Sequence, residues 1–333
     1  MKVYYYNDPI GNFGDDINKW IWDELKPGFF DNDSSIMVSG IGTIISSSMP
    51  PAAKWYVLSS GIGYGFPPKD FGGDSWEILS VRGPLTAKVL GLDEHHYITD
   101  GAALLSTLKR FESIPENSRN GVIFIPHHHA LLTGKWEDVC RNANIEFVNP
   151  QWDADVVINK IRHAKLVLAD AMHGAIIADA MRVPWVPLVT SPQINSFKWL
   201  DWTSTVNISY APFVLGSSSL REKIRSLGLG CYGERHLLAE PSFDKALQDF
   251  YNKRRLKSNK IWPWYNRAAK KIAYNIPDKV VRQFDLSKVD SRYIDSVSEK
   301  MYQCSLEAGY LSEDVTFKLN VSRLMEKLNK LKK

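Results

Sequence analysis

Three residues interrupt an otherwise apolar run in "KLVLADAMHGAIIADAMRVPWVPL" (165–188): Asp170, His173 and Gly174. The segment before them has the character of a buried strand and the segment after them that of a helix, which puts His173 at a helix N-terminus. There the helix dipole pushes an imidazole towards neutrality unless an anion pairs with it. A phosphate at that corner would turn His173 into a cationic ligand or a general acid. Gly174 removes a side chain where a ligand would approach, and Asp170 either orients His173 or caps the helix. The competing reading of His173 is an ordinary core histidine.

Other residues carry compatible chemistry. The loop "GNFGDD" (11–16) follows an apolar strand and precedes a helix. Asp15 there suits accepting or deprotonating a sugar hydroxyl, with Asn12 and Asp16 as further polar contacts, although helix capping explains the two acids equally well. "SGIG" occurs at 39–42 and again at 60–63, each time after a strand. Ligands bind at that edge of an open α/β sheet, so Gly40, Ser60 and Gly61 are candidate contacts; tight βα turns are the alternative. Arg82 in "SVRGPLT" stands at a helix start, where its fork could hold a carboxylate or phosphate, against the alternative of an ion pair with Asp100. Lys198 in "INSFKWLDW" could neutralise an anion, and Trp199 and Trp202 could stack on a sugar face or simply pack. In "PHHHA" (126–130), His127 and His128 could project into a cleft. Consecutive residues do not share a face, so a metal held by this run is not expected.

The elements that must position these residues alternate. Strand candidates at 2–7, 36–40, 55–61, 76–81 and 96–99 form one set, and 121–126, 145–149, 165–169 and 185–189 a second, with helical spacing between them. Pro84 and Gly91 bracket one helix, and Asp153 caps another. Continuous apolar strands imply parallel sheets covered on both faces. The polar stretch 106–120 reads as a linker, which divides the chain into Rossmann-like domains at 1–112 and 118–240 facing a cleft. The pattern beyond Pro241 becomes helical, giving a basic helical extension at 241–333 whose last helix has an apolar face at Val321, Leu324, Leu328 and Leu331.

Composition sets the outer limits. With 44% hydrophobic and 23% charged residues in 333, the chain is a folded protein of ordinary composition. Its three cysteines are scattered without CxxC spacing, which argues against a disulfide scaffold or structural zinc and fits a reducing compartment. No apolar leader follows the N-terminal lysine and no window reads as a membrane span, so a cytoplasmic location is expected. Residues 251–283 hold ten Lys/Arg against one Asp, a net of +9 within a chain of +4. Trp and Tyr are interleaved with the charge. A solvated helix, a nucleic-acid patch and an anionic lipid surface compete to explain it; no nucleic-acid motif accompanies the charge, and peripheral contact with the inner face of the cytoplasmic membrane is the functional reading that remains.

The order "GNFGDDINKW", "SGIG", "SVRGPLTAKVLGL", "ITDGAALL", "MHGAIIADAMRVPWVPL" and "INSFKWLDW", spread over about residues 3–205, resembles the polysaccharide pyruvyl transferase family, in particular its bacterial exopolysaccharide ketal-pyruvyltransferase branch. The resemblance implies a GT-B-like α/β fold, phosphoenolpyruvate as co-substrate with no cofactor or metal, and the terminal sugar of a lipid-linked oligosaccharide as acceptor. It further implies that pyruvate bridges two sugar hydroxyls as a ketal while phosphate leaves. His173 would be general acid or phosphate ligand, Asp15 base or hydroxyl acceptor, and Arg82 and Lys198 the donor's cationic contacts. The family reads Arg-Leu/Met-His-Gly where this chain has Ala171-Met172-His173-Gly174, so one cation of the pattern is missing. A nucleotide-sugar glycosyltransferase of GT-B fold and a non-catalytic membrane- or carbohydrate-binding protein are the alternatives.

Overall fold

The computed structural model describes residues 1–332. Its elements in chain order begin with β1 (Lys2–Tyr4), α1 (Phe13–Asp16), α2 (Ile21–Leu25), β2 (Ile36–Ser39), β3 (Lys54–Ser60), β4 (Trp76–Val81) and α3 (Pro84–Leu90). A second series follows: β5 (Val122–Ile125), α4 (Trp136–Ala143), β6 (Glu146–Phe147), α5 (Ala154–His163), β7 (Leu166–Ala169), α6 (Met172–Ala180), β8 (Trp185–Val189), α7 (Ser196–Thr203) and β9 (Phe213–Val214). The remainder is helical: α8 (Leu220–Gly228), α9 (Phe243–Lys257), α10 (Trp262–Lys270), α11 (Ile276–Val281), α12 (Ser287–Cys304) and α13 (Asp314–Asn329).

The strands form two sheets, in which every pair is parallel. The first has the order β1-β2-β3-β4 and the second β6-β5-β7-β8-β9. The apolar runs foreseen these strands because both faces are covered, so alternation is absent: β7 and β8 are buried along their whole length. In the second sheet the chain runs from β5 outward to β6, then returns to the other side of β5 as β7. The carboxyl ends of β5 and β7 therefore open a crevice between loops that diverge, the place where open α/β sheets take ligands. "PHHH" leaves β5 and "DAMHG" leaves β7 at this crevice.

Helix ends behave as their chemistry dictates. Pro84 opens α3, and Gly91 ends it in a left-handed conformation, φ 70°. The Asp153 carboxylate accepts from the N–H groups of Asp155 and Val156 and caps α5. Two expectations are corrected. The stretch 96–99 makes only an isolated bridge, Tyr97 to Val81, and the strand within 145–149 shrinks to Glu146–Phe147 at the sheet edge. The helical extension is not a loose tail. α13 lays Leu324 and Leu328 into the core, and Leu331 follows just past its end, each contributing roughly 2 kcal/mol of apolar burial. It is tied there by Lys26 Nζ, which donates to the Leu331 carbonyl, 3.3 Å.

One buried ion pair connects the sheets. Arg82, at the carboxyl end of β4, donates from Nε to Asp201 Oδ2 of α7 at 3.0 Å, with both side chains fully shielded from water. Asp201 also accepts from the Thr86 N–H and Oγ1 at 2.8 and 2.6 Å, and Arg82 Nη1 donates to Thr43 Oγ1 at 2.8 Å. A Cβ on Gly61 would stand 2.4 Å from the guanidinium, so only glycine leaves the arginine its room. Removing one partner strands a buried charge. Arg82→Met or Asp201→Asn is expected to cost about 3–5 kcal/mol in urea unfolding; a loss under 1 kcal/mol would show that the pair does not hold the sheets.

Candidate functional site

Between the carboxyl edges of the two sheets lies a cavity of about 420 Å³. Its walls come from strand ends and the loops that follow them on both sides: Tyr4 at the end of β1 and Tyr6 after it, residues between Thr43 and Ser48 after β2, Tyr64 after β3, the histidines after β5, Pro150 after β6, Ala171 to His173 after β7, and Gln193 and Lys198 after β8. Asn12, Phe13 and Asp15 line it from the start of α1, and Glu234 and Lys257 from the helical extension.

His173 stands in the first turn of α6, and its Nε2 is buried without a hydrogen bond among the described residues. Burial holds its imidazole at about 4; Asp100 opposes this, while Lys198 and Arg82 reinforce it. The ring is therefore neutral near pH 7. Gly14 lies across it, and a Cβ there would fall 1.9 Å from His173 Nδ1. That close approach makes Gly14 a part of the site that its loop sequence did not reveal. Asp15, the next residue, lines the same cavity as the imidazole.

Asp15 is almost fully buried, and burial pushes its carboxyl up to about 7, against the attraction of the Lys198 ammonium. Asp16 and Asp100 push in the same direction as burial. Asn12 Nδ2 donates to Asp15 Oδ2 at 2.6 Å. Lys198, on the outward face of α7, reaches the cavity beside Tyr64, whose hydroxyl lies 3.4 Å from Nζ. Lys257 of α9 donates to the Tyr64 carbonyl at 3.1 Å. Two cations thus flank one wall.

The three histidines sit closer together than their sequence suggested. His127 caps a 3₁₀ turn, His128–Leu132, by accepting from the His129 N–H at 3.3 Å. The tight turn gathers the rings, with centroids 4.1 to 5.1 Å apart. One ligand atom from each lies within 4.8 Å of the others, which corrects the argument that consecutive residues cannot converge. A shared ion about 2.1 Å from each nitrogen would draw them closer still. Burial lowers all three, His128 and His129 to about 4 and His127 well below its usual range.

Several sequence candidates lie elsewhere. Asp170 neither contacts His173 nor caps α6. It is fully buried and accepts from the His127 N–H at 2.8 Å, the Thr190 N–H at 3.0 Å and Thr190 Oγ1 at 2.7 Å. Burial pushes it up to about 6, and these hydrogen bonds restrain the rise. It ties the carboxyl ends of β5, β7 and β8 into one platform. Arg82 gives Nε to Asp201 and Nη1 to Thr43 and does not line the cavity, its Nη2 being buried without a hydrogen bond among the described residues, and Asp100 accepts from the Ala102 N–H instead of pairing with Arg82. Trp199 and Trp202 are core residues packed with Trp185, Trp199 stacking on Tyr210, so they present no face to a sugar. Ser60 Oγ donates to the Gly40 carbonyl at 2.6 Å behind the cavity, Gly40 backs onto Trp22, and Gly61 accommodates Arg82. Gly174 faces Ile125 of β5, and Asp16 pairs with Lys19 at 2.7 Å. Of the sequence candidates, Asn12, Asp15, His127, His128, His173 and Lys198 line the cavity. The residues missed include Tyr64, Gln193, Glu234 and Lys257, which come from loops and a helix with no motif to mark them.

A two-sheet α/β protein with a neutral histidine, a carboxyl of raised pKa and flanking lysines in a cavity at facing strand ends has the equipment of a group transferase. Residues 74–192 match the polysaccharide pyruvyl transferase family. The chain is 40% identical over 213 residues to the succinoglycan biosynthesis protein ExoV of Rhizobium meliloti (strain 1021), covering 64% of this chain and 67% of that protein. No solved structure matches. The chain belongs to the polysaccharide pyruvyl transferase family and is a transferase acting on polysaccharide.

The carboxyl of Asp15 titrates with a signature. Its folded-state pKa of about 7 exceeds the ordinary 3.8, so the ionised form is a cost absent at low pH and fully present above pH 7. Asp15→Asn is expected to leave Tm unchanged near pH 4 and to raise it by roughly 2 °C or more above pH 7. A shift that is the same at both pH values would contradict a raised pKa.

Proposed function

We propose that the protein transfers pyruvate from phosphoenolpyruvate to the terminal sugar of a lipid-linked oligosaccharide, as a ketal, in exopolysaccharide biosynthesis. This reading is carried by one cavity whose lining holds a buried unpartnered imidazole nitrogen on a ring packed against Gly14, a carboxyl with pKa about 7 on the next residue, and two lysines. Family membership supplies the reaction class. On this reading the two sheets form a GT-B-like pair, and the basic segment 251–283 brings the protein to the inner face of the cytoplasmic membrane, where a lipid-linked acceptor would lie.

The reaction moves two protons. The donor's methylene carbon takes one and becomes a methyl, leaving an oxocarbenium-like centre at C2. One sugar hydroxyl attacks that centre and loses its proton. The C2–O bond to phosphate then breaks, a second hydroxyl closes the ring, and its proton leaves with the phosphate. The two hydroxyl protons thus balance the new methyl hydrogen and the protonated phosphate, and two titratable groups must relay them. In the free enzyme Asp15 is the group that holds a proton near neutrality, so we assign it as acid to the methylene carbon. Neutral His173 receives a hydroxyl proton and ligates the phosphate, whose charge would raise its basicity. Lys198 and Lys257 face the phosphate and carboxylate. They take the place of the arginine that Ala171 lacks and of Arg82, which is committed to Asp201.

The test is incubation of purified protein with phosphoenolpyruvate and an oligosaccharide panel, following phosphate release and a pyruvyl mass gain. Thermal stabilisation by phosphoenolpyruvate and not by UDP- or GDP-sugars is expected; the reverse would favour glycosyl transfer. His173→Ala and His173→Gln should lower turnover roughly 10²–10⁴-fold with the fold intact, and near-wild-type turnover would remove His173 from the chemistry. The kcat/KM of the wild type should fall as pH rises through about 7, where Asp15 loses its proton. A rise through the same range would make Asp15 the base instead.

The charge neutralisation assigned to lysines makes a metal dispensable. Chelator-treated protein should therefore keep its activity. Loss of activity with restoration by one divalent ion would move that role to His127, His128 and His129.

A further inference from the structure

The helical extension carries a surface that the transfer reaction does not use. α10, a π-helical turn Lys271–Asn275 and α11 form one continuous helix along the outside of the protein. Ile261, Trp264, Ile272, Ile276, Val280 and Phe284 along it are between 49% and 71% exposed. Tyr265 adds a further half-exposed ring beside Trp264. For large apolar side chains this is a costly arrangement, since it leaves about half or more of each in water.

The stripe is held outward by structure. In an unbroken α-helix, at about 100° per residue, Val280 would sit about 160° around the axis from Trp264. The wider π turn between them rotates each residue less and takes back part of that drift. The exposed positions Ile272, Ile276 and Val280, spaced by four, therefore remain on the face that begins at Ile261, and exposed Phe284 follows just past the helix end. The opposite face is fastened down. Asp278 is buried, accepts from Arg221 Nε of α8 at 2.8 Å and pairs with Arg282 at 2.7 Å. The Ala273 carbonyl packs against Gly228, where a Cβ would approach to 2.7 Å, and Asn266 Nδ2 donates to the Tyr232 carbonyl. The helix cannot roll its apolar face inward without breaking these contacts.

Lys260, just before the helix, and Arg267, Lys270, Lys271 and Lys279 along it are exposed. The one acid in the segment, Asp278, is turned inward and paired. An outward apolar stripe with Trp and Tyr, beside an unrelieved cationic flank, matches a bilayer interface rich in anionic headgroups. A second copy of the chain fits less well, because two-fold pairing would set the cationic flank against itself.

We propose that residues 261–284 form a monotopic membrane anchor, in which the apolar stripe inserts below the headgroups of an anionic leaflet and the lysines and arginines bind the phosphates. This goes beyond attraction of the basic segment to a charged surface, because it assigns binding to the stripe. It also places the cavity. Lys257, which lines the cavity, precedes Ile261 by four residues, so insertion would hold the cavity mouth near the membrane plane.

The experiment is co-sedimentation of the full chain with vesicles of phosphatidylcholine alone or with a quarter phosphatidylglycerol. Wild type should bind the anionic vesicles. Trp264→Ser/Ile272→Ser, which leaves every charge in place, should weaken binding about tenfold or more. Its Tm and its turnover on a soluble oligosaccharide should stay unchanged. Full binding by that variant with loss in Lys270→Glu/Lys271→Glu would show surface adsorption without insertion and overturn the proposal. So would absence of wild-type binding, a dimer dissolved by the double substitution, or loss of soluble turnover. Vesicle binding is independent of the chemistry, so failure of pyruvyl transfer would leave this outcome readable.

Discussion

Arg82 and Asp201 are each other's charge partner at a place where neither meets water, and the rest of the site depends on that fact. Arg82 ends a strand of the first sheet, while Asp201 lies on the helix that follows β8 of the second. The same helix projects Lys198 outward into the cavity and turns Asp201 inward. Fixing the inward residue therefore fixes the reach of the outward one. A buried pair of this kind adds little net stability over an apolar substitute, but a single broken partner is expensive. The pair is best understood as a registration device between two sheets whose edges must face each other at one spacing.

Asp170 performs the matching task within the second sheet. Its carboxylate accepts three hydrogen bonds from the ends of two strands beside its own. The loops carrying the histidine cluster and His173 thus start from a common platform at the point where strand order reverses. Gly14 then slides over His173 from the first sheet and delivers Asp15. The cavity holds a neutral imidazole, a protonatable carboxyl and lysines within one buried space, because burial shifts the first two in opposite directions, lowering the base and raising the acid. This is the arrangement that proton relay between a hydroxyl and a carbon requires.

The strands and helices were legible because buried parallel strands leave continuous apolar runs and helices leave caps. His173, Asp15 and Lys198 were legible because each stands just past a strand or in the first turns of the following helix. The partner of Arg82 was not, since Asp201 lies 119 residues away and nothing local marks it. Trp199 and Trp202 looked like a sugar platform because aromatics serve both purposes; which face of α7 turns inward is decided by packing across the two sheets. The histidine cluster was hidden because His127 caps a 3₁₀ turn that begins at His128, and its ring folds back to accept from the His129 N–H. Lys257 and Glu234 belong to segments outside the recognisable motifs. The basic segment was legible as charge, but its exposed apolar stripe depends on a π turn that shows no sequence signature.

Binding of phosphoenolpyruvate between Gly14, His173 and Lys198 is the step on which the proposed reaction turns. A crystal structure of the protein with that donor tests it most directly. The phosphate is expected within hydrogen-bond distance of His173 Nε2 and Lys198 Nζ, with the methylene carbon turned towards Asp15. A donor bound elsewhere, with His173 Nε2 still lacking a hydrogen bond, would contradict it.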